Sequence, residues 1–242
     1  MKNVVLPHEG IRRLSFFLAM EEYVAGKVEG DAFFIWQSEP TVIIGRNQDM
    51  EAEVNLPYCE EHDIRIVRRK SGGGCVYSDE GNIMISCISA RGEAAKVFDN
   101  YLASLTDCLS SMGLEACRSE RNDVMVAGMK VSGNAFQQLP QRSIVHGTLL
   151  YKSDFNALEE AIRPPVEKLV RHGIKSVRQR VANLSDFLSS DWDLEKVKKH
   201  VTDYFCDSEI MLTEEDVNAI RELEKQFEPH NYGRKSFEDM SV

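Results

Sequence analysis

Several things are missing from this 242-residue chain, and each absence excludes a class of protein. No apolar stretch approaches the roughly 20 residues that a helix needs to span a bilayer. The segment Met1 to Gly10 is too polar to be the apolar core of a secretory signal. Six cysteines, at positions 59, 75, 87, 108, 117 and 206, include no CxxC pair, which argues against a zinc site or a stapled secreted scaffold. Reduced thiols and a cytoplasmic location are expected. There is no GxxxxGK[ST] or GxGxxG pattern, so a nucleotide, if bound, is not held by a P-loop or a doubly wound nucleotide fold. Internal repeats and low-complexity tracts are also absent.

What is present points to a packed enzyme-sized domain. Hydrophobic residues make up 43% and charged residues 28%, enough to bury a core. The formal net charge of −10 argues against nucleic acid or an anionic membrane as a partner. Against that acidic background stands one basic run, Arg68-Arg69-Lys70, which suits a ligand bearing phosphate.

Apolar spacing predicts an amphipathic helix over Gly10–Ala25, strands over Ala32–Gln37 and Thr41–Gly45, and a short helix opened by Asn55 and Pro57. Strands are expected at Ile64–Arg69, Cys75–Ser78 and Ile83–Ser89, then a long helix over Ala95–Met112 stopped by Gly113. Extended segments follow at Val124–Met129, Val131–Gln137 and Ile144–Tyr151. The rest reads as mostly helical: Asn156–Ile162, Pro165–His172, a turn or helix at Asn183–Leu188, Leu194–Phe205 and Glu214–Phe227. Strands dominate the first 150 residues, so the expected class is α+β, a mixed sheet with helices packed on it.

Three segments carry chemistry. In Ser71-Gly72-Gly73-Gly74-Cys75-Val76, consecutive glycines let a backbone approach a ligand and turn its N–H groups toward an anion. The arginines before it could add fixed phosphate donors, although a bare glycine run is also an ordinary turn. In Arg121-Asn122-Asp123 through Lys130-Val131-Ser132-Gly133-Asn134-Ala135, Lys130 is followed by small residues that leave space beside the backbone. Such a lysine is either a solvated strand residue or a clamp for a phosphate or acyl oxygen. Asp123 reads equally as a turn residue and as a hard ligand for Mg²⁺. In Val145-His146-Gly147-Thr148, His146 is either a satisfied core residue or a base for an incoming amine.

Taken together these segments resemble the lipoate–protein ligase A family. Its RRxSGGGxVxxDxGN pattern is matched from Arg68 to Asn82, its second block from Asn122 to Ala135, and its HGTLL block at His146–Leu150. Supporting matches run from Thr41 through Arg46 to Gln48 and from Gly173 to Leu184. The resemblance is strongest over residues 1–190 and weaker over the helical part 191–242. It implies one catalytic domain with the fold of biotin protein ligases and class II aminoacyl-tRNA synthetases. It also implies two half-reactions: ATP activates lipoate to lipoyl-AMP, then a lysine of a lipoyl domain takes the acyl group. ATP, with Mg²⁺, and lipoate would be substrates, with no prosthetic group.

By the same resemblance, Arg69, Gly74, Cys75, Val76, Tyr77 and Lys130 contact ATP. Arg69, Ser71, Gly72, Gly73, Lys130 and His146 contact lipoate, Lys130 being the catalytic residue. Arg46, Asn82, Asn122, Ser132 and Gly133 are supporting residues, and Asp123 is the candidate for Mg²⁺. Phe33, Trp36, Val42 and Val76 are candidates to line an apolar pocket. The implied partners are lipoyl domains of 2-oxoacid dehydrogenase E2 subunits or the glycine cleavage H protein.

Two departures qualify this. Ser78 stands where many relatives carry histidine. The chain ends at Val242, soon after Asn231-Tyr232-Gly233, where bacterial relatives continue into an accessory domain, so a separate small protein could supply that part. The rival readings are an octanoyl or lipoyl transferase working through a cysteine thioester, with Cys117 nearest the right region, and a subunit that only binds lipoyl-adenylate. Biotin is disfavoured because no GRGRxGR-type loop is present.

Overall fold

The computed structural model describes residues 1–8, 10–119, 121–163 and 180–227. The helix expected at Pro165–His172 lies outside them. Eleven strands and seven helices are found among the described residues. They run β1 (Lys2–Val5), α1 (Leu14–Lys27), β2 (Ala32–Trp36), β3 (Thr41–Ile44), α2 (Met50–Glu53), α3 (Leu56–Glu61), β4 (Arg65–Arg68), β5 (Val76–Ser78) and β6 (Asn82–Ala90). Next are α4 (Ala94–Ser111), β7 (Ala116–Arg118), β8 (Asp123–Val126), β9 (Met129–Gln138), β10 (Arg142–Leu150), α5 (Phe155–Ala161), α6 (Leu194–Phe205), β11 (Ser208–Met211) and α7 (Glu214–Glu224).

The strands form an eight-stranded sheet in the order β11-β1-β2-β6-β10-β9-β8-β7 and a three-stranded sheet β4-β3-β5. Parallel pairing at β11-β1-β2 with antiparallel pairing across β2-β6-β10-β9 makes the large sheet mixed, as expected. Alternation along its strands feeds two cores. Phe34 and Trp36 of β2, Met84 and Ile88 of β6 and Ile144 of β10 face α1 and α7. Phe33, Ile83, Ile85, Val145 and Leu149 face α4 and α6 from the other side. A third core, with Val42, Ile44, Tyr77, Leu158 and Ile162, covers the small sheet with α3 and α5. Among the described residues no helix is long and apolar enough to cross a membrane.

Helix α4 shows why spacing succeeds: Tyr101, Leu102, Leu105, Cys108 and Leu109 make one buried stripe, and Gly113 ends it at φ +86°. Helix α1 starts at Leu14 rather than Gly10, without a side-chain cap, because Arg12 first bridges to Ser38. The C-terminal part is not purely helical. Strand β11 pairs in register with β1, Val4 against Ile210, although its solvent-facing sequence carries little strand pattern. Ala127-Gly128 forms a hairpin turn, as those two residue types allow, at φ +49° and φ +77°, so the extended segment over Val124–Met129 breaks after Val126 and resumes at Met129. Positive φ at both turn residues matches the twist of the flanking strands.

Candidate active site

One pocket opens between the two sheets. Leu18, Trp36, Ile43, Val76 and Met84 line its side toward the first core. Tyr77, Leu150, Leu158, Ile162 and Val181 line its side toward the third. Arg69, the loop Gly73–Cys75, Asn122, Lys130, Gly133 and His146 also reach it. The pocket therefore collects residues from all three segments singled out in the sequence. Of the four apolar candidates, Trp36 and Val76 line it, whereas Phe33 is buried in the second core and Val42 in the third.

Only the middle residue of the basic run is buried. Arg69 is 5% exposed, and its Nη2 donates to the carbonyls of Gly72 and Gly74, both at 2.8 Å. Its Nε also donates to Gly72 (3.2 Å), and its Nη1 to Ile43 (3.4 Å). Burial lowers its pKa to about 10, with Cys75 and Glu21 opposing the shift, so the guanidinium is still a cation at neutral pH. Arg68 donates in the same way to the carbonyls of Gly45, Arg46 and Gln48. Lys70 pairs with Glu22 at 2.8 Å.

These contacts set the direction of the glycine loop. In a trans peptide the N–H points opposite to the C=O. Turning the Gly72 and Gly74 carbonyls toward Arg69 therefore aims the N–H groups of Gly73 and Cys75 away from it. Gly73 holds φ +100°, and a Cβ there would stand 2.8 Å from Arg69 Nη2. At Gly72 and Gly74 a Cβ would meet nothing, so the loop borders open space.

Lys130 owes its place to an irregularity. Between β8 and β9 the register runs Val124 against Ser132 but Met125 against Lys130, so β9 carries one extra residue, a β-bulge. In regular pleating, Lys130 and Gly133 would face opposite sides. The bulge puts them on the same side, and a Cβ on Gly133 would overlap Lys130 Nζ and Cε. Nζ lies 2.8 Å from Oδ1 of Asp123, which is 2% exposed. The other Asp123 oxygen takes Arg180. Asp123, a magnesium candidate from sequence, thus has a cation on each oxygen. Among the described residues no group of three His, Cys, Asp or Glu could hold a metal ion.

The neighbours of Lys130 stiffen this corner. Asn134 Nδ2 donates to the Asn122 carbonyl (3.0 Å) and to Ser132 Oγ (3.1 Å), and the Gly133 N–H donates to Thr148 Oγ1 (3.2 Å). Ser132 supports the strand from outside the pocket, whereas Asn122 both braces Asn134 and reaches the pocket. Ser71 is buried behind the loop, bound to His146 Nε2 at 2.7 Å. His146 is 7% exposed, and its Nδ1 meets both oxygens of Glu21, at 3.0 and 2.9 Å. Both ring nitrogens are engaged. Glu21, from α1, was missed in the sequence: it lies in an ordinary helical stretch with no motif around it.

Other expected residues fall outside the pocket. Arg46 is exposed beyond the glycine loop, where its N–H donates to the Ser71 carbonyl. Asn82 is fully buried at the start of β6, and its side-chain amide finds no hydrogen-bond partner among the described residues. Cys117 is exposed on edge strand β7, whereas Cys75 lines the pocket and is half-buried. Cys87 and Cys108 are buried, and desolvation raises both thiols to about 12.

Comparison with known proteins gives the arrangement a family. Residues 14–206 match the family model for the lipoyl protein ligase A/B catalytic domain. The chain is 37% identical over 227 residues to lipoate–protein ligase 1 of Staphylococcus aureus, covering 90% of this chain and 69% of that protein. It is 35% identical over 230 residues to lipoate–protein ligase LplJ of Bacillus subtilis, covering 90% and 70%. Its fold matches a bipartite lipoate protein ligase of Thermoplasma acidophilum with a TM-score of 0.83 at 27% identity, over 97% of this chain and 98% of that one. A lipoate–protein ligase A structure bound with ATP shares the fold, with a TM-score of 0.82 at 24% identity over 96% and 99% of the two chains. The chain belongs to the lipoyl protein ligase A/B catalytic-domain family.

Proposed function

We propose that this protein activates lipoate with ATP and passes the lipoyl group to a lysine of a lipoyl domain. The observation that carries this reading is Lys130 in a pocket with apolar walls on two sides. An eight-carbon acid suits the side formed by Leu18, Trp36, Ile43 and Met84. A purine suits the side formed by Tyr77, Leu150, Leu158 and Ile162. The glycine loop borders both.

In the first step a lipoate oxygen attacks the α-phosphorus of ATP. The acyl–phosphate bond forms, the bond to the β-phosphate oxygen breaks, and pyrophosphate leaves. In the second step the amine of the acceptor lysine attacks the carbonyl carbon, AMP leaves, and the amine loses a proton. Negative charge grows on phosphate or carbonyl oxygen in both. Asp123 carries one negative charge against the two cations Lys130 and Arg180, so the cluster keeps a net positive charge for these oxygens. A unit pair at ~4 Å is worth about 4 kcal/mol at an effective dielectric near 20. Magnesium would arrive with ATP. A carboxylate has about four lone-pair sites, so Asp123 could touch the ion only through those that Lys130 and Arg180 leave.

Lipoyl domains of E2 subunits or of the H protein are the proposed acceptors. The test is lipoate-dependent pyrophosphate release from ATP by the purified chain, with and without an apo lipoyl domain. Release that requires lipoate supports activation by this chain. No release, together with transfer from synthetic lipoyl-adenylate, would move activation to a separate partner.

A further inference from the structure

A chain of buried polar groups runs behind the pocket, and one of its members has no role in the reaction outlined above. The Trp36 indole N–H donates to Ser86 Oγ at 2.9 Å, and the Ser86 hydroxyl donates to Glu21 Oε1 at 2.6 Å. Both Glu21 oxygens face Nδ1 of His146, and Nε2 of His146 meets Ser71 Oγ at 2.7 Å. Glu21 is 1% exposed, Ser86 is fully buried and Ser71 is 2% exposed. Four separate elements, β2, β6, α1 and β10, thereby connect to the first residue of the glycine loop.

With Glu21 ionised and the His146 ring neutral, donor and acceptor follow for each bond in this chain. An ionised carboxylate only accepts, so the proton between Glu21 and the imidazole sits on Nδ1. A neutral ring protonated at Nδ1 has Nε2 as its acceptor, and the Ser71 hydroxyl must then donate to it. Ser71 is also held through its carbonyl, which accepts from the Arg46 N–H at 3.0 Å. Arg69 fixes the next turn of the loop through Gly72 and Gly74. The loop is thus held by a buried cation on one side and by His146 on the other, and Trp36 and His146 both line the pocket.

We propose that Glu21 is a positioning residue, which holds His146 in the Nδ1–H tautomer so that Ser71 and the glycine loop keep the geometry that closes around the acyl chain. This rests on the lipoyl-transfer reading for its kinetic consequence but not for its structural one. Glu21→Gln keeps the size and adds an amide donor, which allows Nδ1 to accept. The ring can then carry its proton on Nε2, and Ser71 loses its acceptor.

The test combines ¹⁵N NMR of the imidazole with lipoyl transfer kinetics. The expected result is an Nδ1–H ring in the wild type, an Nε2–H or mixed ring in Glu21→Gln, and a KM for lipoate raised on the order of tenfold, the low end of what loss of an orienting partner costs a histidine ligand. Glu21→Asp should restore part of the binding and the wild-type tautomer. An Nε2–H ring in the wild type would overturn the proposal, as would Glu21→Gln with an unchanged tautomer and unchanged KM. Should Glu21→Gln fail to fold, Ser71→Ala serves instead. Its ring must remain Nδ1–H because Glu21 is intact, and a switch to Nε2–H would overturn the proposal. If the wild type transfers no lipoyl group, the functional reading falls, while the tautomer measurement still decides the role of Glu21.

Discussion

The ammonium of Lys130 lies 2.8 Å from Oδ1 of Asp123 and occupies the space where Gly133 would otherwise carry a Cβ. A bulge in β9 makes this possible by bringing residues three apart onto one side of the strand. Position and charge can therefore be tested separately. Lys130→Ala should slow adenylation by roughly two to three powers of ten, comparable with losing an oxyanion donor. Gly133→Ala should leave thermal stability nearly unchanged, since a lysine tip can move aside. Its transfer rate should nevertheless fall, by up to about a hundredfold for a displacement near 1 Å. Equal losses of stability and activity in Gly133→Ala would count against a positioning role for the glycine.

Arg69 is expected to act chiefly as a brace. It is buried and donates to three carbonyls, and a lysine ammonium cannot reproduce that planar fork. Arg69→Ala would leave buried carbonyls unsatisfied and should lower stability by about 3 kcal/mol or more. Arg69→Lys should recover only part of this. Denaturant melts of both variants decide the matter. Wild-type stability in Arg69→Ala, with only ATP affinity lost, would mean that the guanidinium serves the nucleotide and not the loop.

The hairpin turn offers a stabilising change. Ala127 sits at φ +49°, a conformation that costs a residue with a Cβ roughly 1–2 kcal/mol. Asn tolerates it better, and Asn-Gly is the favoured pair for such a turn. Ala127→Asn should raise Tm by a few degrees without touching the pocket, as differential scanning calorimetry would show.

The thiols separate by environment. Alkylation with iodoacetamide at pH 8, followed by peptide mass spectrometry, should modify Cys117 first and leave Cys87 and Cys108 unmodified in the folded protein. Cys117→Ser and Cys75→Ser should both retain lipoyl transfer. Loss of transfer in Cys75→Ser, with folding intact, would revive a thioester route, because that thiol lines the pocket. The buried thiols also give a pH dependence. Their folded pKa values, about 12 for Cys87 and Cys108, lie above the ordinary 9.0. Below pH 9 both folded and unfolded chains hold these protons. Between 9 and 12 the unfolded chain releases them first, so stability falls as pH rises. Cys108→Val should flatten that decline in denaturant midpoints measured from pH 8 to 10.5.

The sequence was most legible where one physical rule acted alone. Helix α4 declared itself through a single buried stripe and a terminal glycine, and the glycine loop and Lys130 segment through local composition. The failures share a cause. Edge strand β11 exists because it pairs with β1 across about 200 residues, and a four-residue strand carries almost no periodicity of its own. Glu21 looks like any helix residue until α1 packs on the sheet and brings it to His146. Arg69 was recognisable as important, but its use as an internal donor to loop carbonyls follows only from the folded path of residues 69–74. The bulge that turns Lys130 toward Gly133 likewise depends on pairing that spacing alone does not encode.

Transfer by Lys130 can be measured with activation bypassed. The chain, preformed lipoyl-adenylate and an apo lipoyl domain are mixed, and lipoylation of the domain is followed by intact mass spectrometry beside the Lys130→Ala variant. If Lys130 drives the transfer, the wild type rapidly modifies a single acceptor lysine and the variant is slower by about a hundredfold or more. Equal rates for wild type, variant and uncatalysed mixture would contradict it.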